Sequence, residues 1–185
     1  MSEIINKIKA KVSAEKAYYL LAIPLAVVFY FLTLWATPYY VQYKIAKNRV
    51  SETNVVRFAE KPSEKNRVVP LPNPDFLYST IGYDLENKVL KITGSVPNAT
   101  YWSISGYQAN TTNYFVANDK QLDSKFEYYL AKEGSTSAAL KDVPKEKIIY
   151  SPTTRGLVLF RYLISKAYPL EKLTQLQHDV KVETL

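Results

Sequence analysis

The sequence predicts a mainly β protein: a single N-terminal transmembrane helix, then a β-sandwich or jelly-roll-like domain closed by a short C-terminal helix. Three observations predict it. Residues 17–43 contain no Asp, Glu, Lys or Arg. From residue 76 onward, apolar and polar residues alternate in short runs separated by turn residues. Ring side chains are abundant, with 16 Tyr, 7 Phe and 2 Trp, and such residues suit pleated, half-buried strands.

The totals bound the rest. A chain of 185 residues, less its span and tail, holds one domain with a real core. There is no Cys, which excludes a disulfide framework, a thiolate nucleophile and a Cys-based zinc site. The net charge is +7, but residues 1–61 carry nine Lys/Arg against four Asp/Glu. The cationic excess therefore hugs the apolar run, where it meets anionic lipid headgroups. Residues 62–185 are close to balance and show no basic stripe, so nucleic acid is not an expected partner.

In chain order, residues 1–16 form a tail in which Ile4, Ile5, Ile8 and Val12 recur at helical spacing among Lys7, Lys9, Lys11 and Lys16. That pattern fits an amphipathic helix on a lipid surface or a solvated tail. Residues 17–43 follow as the membrane span. About 25 helical residues rise roughly 37 Å, enough for a hydrocarbon layer of ~30 Å. Tyr18, Tyr19, Trp35, Tyr39, Tyr40 and Tyr43 stand near its ends, where amphipathic rings favour the interface. The run is too long for a signal-peptide core and no small-x-small site follows it, so an uncleaved anchor is expected. Cations flank both ends nearly equally, and charge alone does not orient the span.

One face of the span is distinct. At ~100° per residue, Ala22, Ala26, Phe29, Thr33 and Thr37 line up. Small residues and Thr favour close approach of a partner helix, although a lone anchor can carry the same residues incidentally. Pro24 removes one backbone bond and predicts a mild kink. Residues 44–75 read as a juxtamembrane extension and spacer, with Pro62, Pro70, Pro72 and Pro74 enforcing extended chain.

The β-rich domain is expected over 76–185. Candidate strands are 76–83, 88–93, 100–108, 112–118, 126–131, 147–150 and 156–164, a spacing typical of sandwiches and barrels. The last of these is almost continuously apolar, as in a strand covered on both faces. At the C-terminus, Pro169 followed by Leu170, Leu173, Leu176 and Val180 predicts an amphipathic helix packing on the sheet.

Several local series then recur together. Pro72-Asn73-Pro74-Asp75-Phe76-Leu77-Tyr78-Ser79 precedes Asp84-Leu85. Tyr101-Trp102-Ser103-Ile104, Tyr107 and Asn113-Tyr114-Phe115 follow, and Ser151-Pro152-Thr153 leads to Gly156-Leu157-Val158-Leu159-Phe160-Arg161. Across residues 70–178 this order resembles the domain-of-unknown-function family 1254. The resemblance implies a β-rich, exported domain, a sister protein carrying the family 1214 domain as partner, and no agreed activity. It orients the anchor with its N-terminus in the cytoplasm of a bacterium, the span in the inner membrane and the domain in the periplasm.

Candidate chemistry is sparse. His178 is the only His and lies in the expected terminal helix, so neither a Ser-His-Asp triad nor a His-based metal site is expected. No catalytic, cofactor or metal residues are assigned. Asp75 is either a turn former or a ligand contact. Tyr101, Tyr107 and Tyr114 are either core or a stacking surface; alternation puts Tyr101, Ser103, Ser105 and Tyr107 on one face of their strand and Trp102 and Ile104 on the buried one. Arg161 in a buried-looking strand calls for a structural ion pair, with Asp75 or Asp84 as the acid. The expected role is a non-catalytic subunit of a membrane complex, paired with a second membrane protein or with itself. A tethered glycan- or lipid-binding module is the alternative, and a carboxylate- or metal-dependent enzyme stands behind both.

Overall fold

The computed structural model describes residues 2–49, 52–64, 72–122 and 124–185, except the side chains of 2, 3, 5–15, 17, 19 and 45–49. Helix α1 spans Ser2–Arg49 without a break, with Pro24 and Pro38 inside it. Tail and span are thus one helix, and Leu20–Lys44 is long and apolar enough to cross a membrane. Its large side chains are exposed, among them Leu25, Phe31 and Trp35. The ring of Trp35 lies 5.4 Å from that of Tyr39, an aromatic pair at one end of the run. The amphipathic reading of Ile5, Ile8 and Val12 falls outside the described side chains.

The second unit is a two-sheet β-sandwich. Strands β1 (Val56–Phe58), β2 (Phe76–Asp84), β4 (Trp102–Gln108), β5 (Asn113–Asn118) and β8 (Arg155–Leu163) form one antiparallel sheet in the order β1-β2-β8-β4-β5. Strands β3 (Leu90–Ser95), β6 (Lys125–Lys132), β7 (Ile148–Ser151) and β9 (Lys181–Thr184) form the other, in the order β7-β6-β3-β9. The β6–β7 pair is parallel, because two 3-10 turns carry the chain back between those strands. Helix α2 (Leu170–His178) packs on β2 through Leu173, which is fully buried.

Alternation creates the core. Leu77 and Ile81 of β2, Ile104 of β4 and Phe160 of β8 face Leu90 and Ile92 of β3 and Leu130 of β6, all nearly inaccessible. Trp102 sits between the sheets, its ring 5.1 Å from Phe126 and 6.4 Å from Phe160.

Two boundaries differ from the sequence expectation. The connector expected over 44–75 contributes β1, paired with β2 from Val56↔Ile81 to Phe58↔Ser79. Asn54 fixes that edge: its side-chain amide donates to Asp84 O (3.0 Å) and its Oδ1 accepts from Asp84 N (2.8 Å). The domain therefore starts before residue 76. Residues 65–71 of the expected proline-rich spacer lie outside the described residues. At the other end, the terminal helix stops at His178. Residues 181–184 pair with β3 instead, and Val180, expected on the helix stripe, is a buried residue of the intervening turn.

Candidate functional site

The five-stranded sheet has two unlike faces, and strand β8 at its centre shows the difference best. Val158, Phe160 and Tyr162 point into the sandwich and are buried. Leu157, Leu159, Arg161 and Leu163 take the alternate positions and remain half-buried. None of those leucines belongs to the hydrophobic core or to the side chains packed against it. By register, Tyr78 and Phe76 of β2 lie beside Arg161 and Leu163, and Ser103 and Ser105 of β4 lie beside Arg161 and Leu159. Val116 of β5 continues the row at 48% exposure. Fully burying a Leu side chain is worth about 1.5–3 kcal/mol, and each of these leucines realises only part of that within the domain.

Arg161 occupies the middle of this face. Its Nε donates to Ser103 Oγ at 3.1 Å. Among the described residues no carboxylate lies within ion-pair distance of it. The ion pair expected with Asp75 or Asp84 is not made: Asp84 pairs with Arg155 at 2.8 Å. Register explains the choice, since Asp84 lies directly opposite Arg155 while Arg161 lies opposite Tyr78.

The other expected site residues scatter. Asp75 is exposed; its N–H donates to Asn73 Oδ1 (2.9 Å) and its carbonyl accepts from Ile164 N, which is a turn role. Tyr101 is exposed and meets Phe76 edge-on at 5.9 Å. Tyr107 stands six positions along, about 20 Å away on an extended strand. Tyr114 lies on the opposite face, against Gly106. The three tyrosines do not converge, and none of them lines a described cavity. The face expected to expose Ser103 and Ser105 instead buries them, at 0% and 1%, because larger neighbours flank both.

On the span, Thr33 and Thr37 donate their hydroxyl protons to Phe29 O and Thr33 O at 2.7 Å each. Those protons are used within the helix, so only the oxygens remain for a helix packed on the Ala22–Ala26–Phe29 face.

Sequence reasoning missed a hydroxyl cluster at one end of the sandwich. Tyr83 Oη lies 2.8 Å from Ser151 Oγ and donates toward Tyr107 O at 3.1 Å, with the Tyr114 ring beside it. Burial raises the pKa of Tyr83 and of Tyr114, so both phenols keep their protons at neutral pH. The four-stranded sheet carries Glu127 between Lys91 (3.1 Å) and Lys147 (3.2 Å). Their hydrogen bonds hold its carboxyl below the usual range, an arrangement typical of a surface ion-pair network. His178 stacks on Phe58 at 4.3 Å. No group of three metal-ligating side chains occurs among the described residues.

These features define a class: a β-sandwich domain behind an apolar N-terminal helix, with a half-buried apolar face on its five-stranded sheet. The chain belongs to the DUF1254 family, described as a protein of unknown function, whose profile matches residues 53–184. The match reaches upstream of the resembling stretch and takes in β1. The fold is similar to that of the VPA0106 protein from Vibrio parahaemolyticus, at 12% identity and a TM-score of 0.62, over 80% of this chain and 34% of that one. It is also similar to an uncharacterised protein from Burkholderia cenocepacia, at 15% identity and a TM-score of 0.50, over 82% of this chain and 40% of that one. The chain thus spans well under half the length of either. No curated protein matches it.

Proposed function

We propose that the protein is a non-catalytic, membrane-anchored subunit of a bacterial envelope complex. Its helix sits in the inner membrane with the N-terminus in the cytoplasm. The sandwich stands in the periplasm and docks on a second membrane protein, of the kind that carries the sister 1214 domain. One observation carries this reading: the outer row of β8, in which Leu157, Leu159 and Leu163 lie outside the core of their own domain. Apolar rows on a central strand are ordinarily covered.

The test is gentle solubilisation of the tagged full-length chain from its native membranes, followed by native mass spectrometry. A second protein in fixed ratio is the expected result. A monodisperse single chain, unaltered when residues 17–43 are exchanged for polyleucine, overturns the reading.

A further inference from the structure

We infer that the outer face of the five-stranded sheet docks a separate protein that presents a carboxylate, ringed by apolar side chains, to Arg161. This deepens the subunit reading and rests on it. Arg161 lies on the central strand with Leu159 and Leu163 on the same row and Tyr78 and Ser103 to either side. A guanidinium set among apolar neighbours loses hydration, and a carboxylate is the usual compensation. Here its side-chain hydrogen bond is to one hydroxyl, Ser103 Oγ. Ser105 Oγ on the same face is buried and has no hydrogen-bond partner among the described residues.

The charge on the face fixes the sign of its occupant. On its two central paired strands it holds Arg155 and Arg161 against the single acid Asp84, and Asp84 is already paired with Arg155. A second copy of the same face would set guanidinium against guanidinium, so self-association across it is disfavoured. An anionic lipid surface is a poor match as well, because membrane-binding faces keep their cations at the rim and insert their apolar residues. Here the cation is central, with Leu159 and Leu163 before and after it on the same row. Central Arg with Tyr and Phe on a half-buried apolar surface is the composition of a protein–protein contact.

The absence of Cys from the chain permits a direct test. Val116 on this face and Tyr150 on the outer side of the other sheet are equally exposed at 48%. Full-length Val116→Cys and Tyr150→Cys variants are labelled with a membrane-impermeant maleimide in native membranes opened to both sides. Each rate is taken relative to the same variant purified in detergent. Val116→Cys should label at least tenfold more slowly than Tyr150→Cys. Adding Arg161→Glu should bring the two within twofold, and Arg161→Lys should keep most of the protection. Should Arg161→Glu lower the unfolding midpoint, Leu159→Arg serves as the second disruptor and should give the same release.

Equal labelling of the two sites in native membranes overturns the inference. So does protection that survives both Arg161→Glu and Leu159→Arg. Protection that persists in the purified chain reconstituted into phosphatidylethanolamine–phosphatidylglycerol vesicles assigns the face to lipid. Protection that grows with concentration of the purified chain assigns it to a second copy; both results overturn it. If a fixed-ratio protein copurifies while Val116→Cys labels freely, only the docking surface is wrong. If no protein copurifies, the subunit reading falls with it.

Discussion

Gly156→Ala should be among the most damaging single-methyl additions in the domain. Gly156 sits on the inward row of β8 opposite Tyr83. A Cβ built there runs into the backbone carbonyl of Tyr107 and the hydroxyl of Tyr83. The carbonyl belongs to the neighbouring strand β4 and cannot swing aside without breaking the sheet register. Overpacking of this kind costs about 1–3 kcal/mol. Moving the Tyr83 hydroxyl also breaks its hydrogen bond to Tyr107 O and leaves buried polar groups unmet, for about 1–3 kcal/mol more. The expected loss is therefore about 3–5 kcal/mol. At roughly 4 °C per kcal/mol for a domain of this size, the unfolding midpoint should fall by about 10–20 °C. Unfolding of the full-length chain in detergent can be followed by the fluorescence of Trp102, which is buried against Phe126. Gly134→Ala is the control: nothing lies within 4 Å of its added Cβ, and only its φ of +79° opposes the change. That variant should lose about 1–2 kcal/mol. If Gly156→Ala is no worse than Gly134→Ala, β4 and β8 are not packed as described and the hydroxyl cluster is not closed.

Adjacent residues of β8 should respond oppositely. Phe160→Ala should cost about 3–5 kcal/mol in urea titrations of the purified chain, while Leu159→Ala should cost under about 1 kcal/mol there and lower the recovery of a bound partner. Asn54→Gly keeps the backbone at its φ of +62° without strain and removes both side-chain bonds to Asp84. It should destabilise the domain by about 1–2 kcal/mol, which a thermal melt would read as a shift of several degrees; no shift would return the domain boundary to residue 76. Burial raises the pKa of Tyr83, Tyr114 and Tyr162. An acid whose folded pKa is raised contributes stability that is full below the unfolded pKa of about 10 and is lost as pH rises through the folded value. Melting points should therefore fall above about pH 10. Tyrosinate absorbance from the buried rings should appear only with unfolding, and Tyr162→Phe should flatten the dependence.

Much of the fold was legible because seven of the nine strands alternate strongly enough to be found from residue types alone. The two that escaped had physical reasons. Strand β1 is three residues long and includes Arg57 among charged neighbours, so its identity comes from pairing with β2 and from the Asn54 clamp, both non-local. Strand β9 follows α2 after a short turn, and Val180 kept the helical apolar spacing running past the true end. Tyr114, left open between core and stacking surface, is settled by a break in the strand pairing. Pairing shifts between Gly106 and Tyr107, and the resulting bulge turns two successive rings, Tyr114 and Phe115, toward the core. Period-two counting cannot anticipate such a break. The partner of Arg161 was misassigned because sequence gives the presence of Asp84 but not the register that hands it to Arg155.

The continuous apolar run at 156–164 was the most informative stretch in the chain, and its meaning changed most with the structure. A strand apolar on both rows asks for two covering layers. The four-stranded sheet supplies one, burying Val158, Phe160 and Tyr162. The other row lies outside the domain's core and holds a guanidinium with no carboxylate among the described residues. Stability of the isolated fold does not call for leucine at 157, 159 and 163, since polar β-formers would serve a solvated face. Nor does it call for arginine at 161, where Thr would bond Ser103 at lower desolvation cost. The proposed docking surface would account for the residues on that row. Under that proposal the apolar helix, once inserted in a membrane, would hold the domain there and raise the effective concentration of any partner anchored beside it.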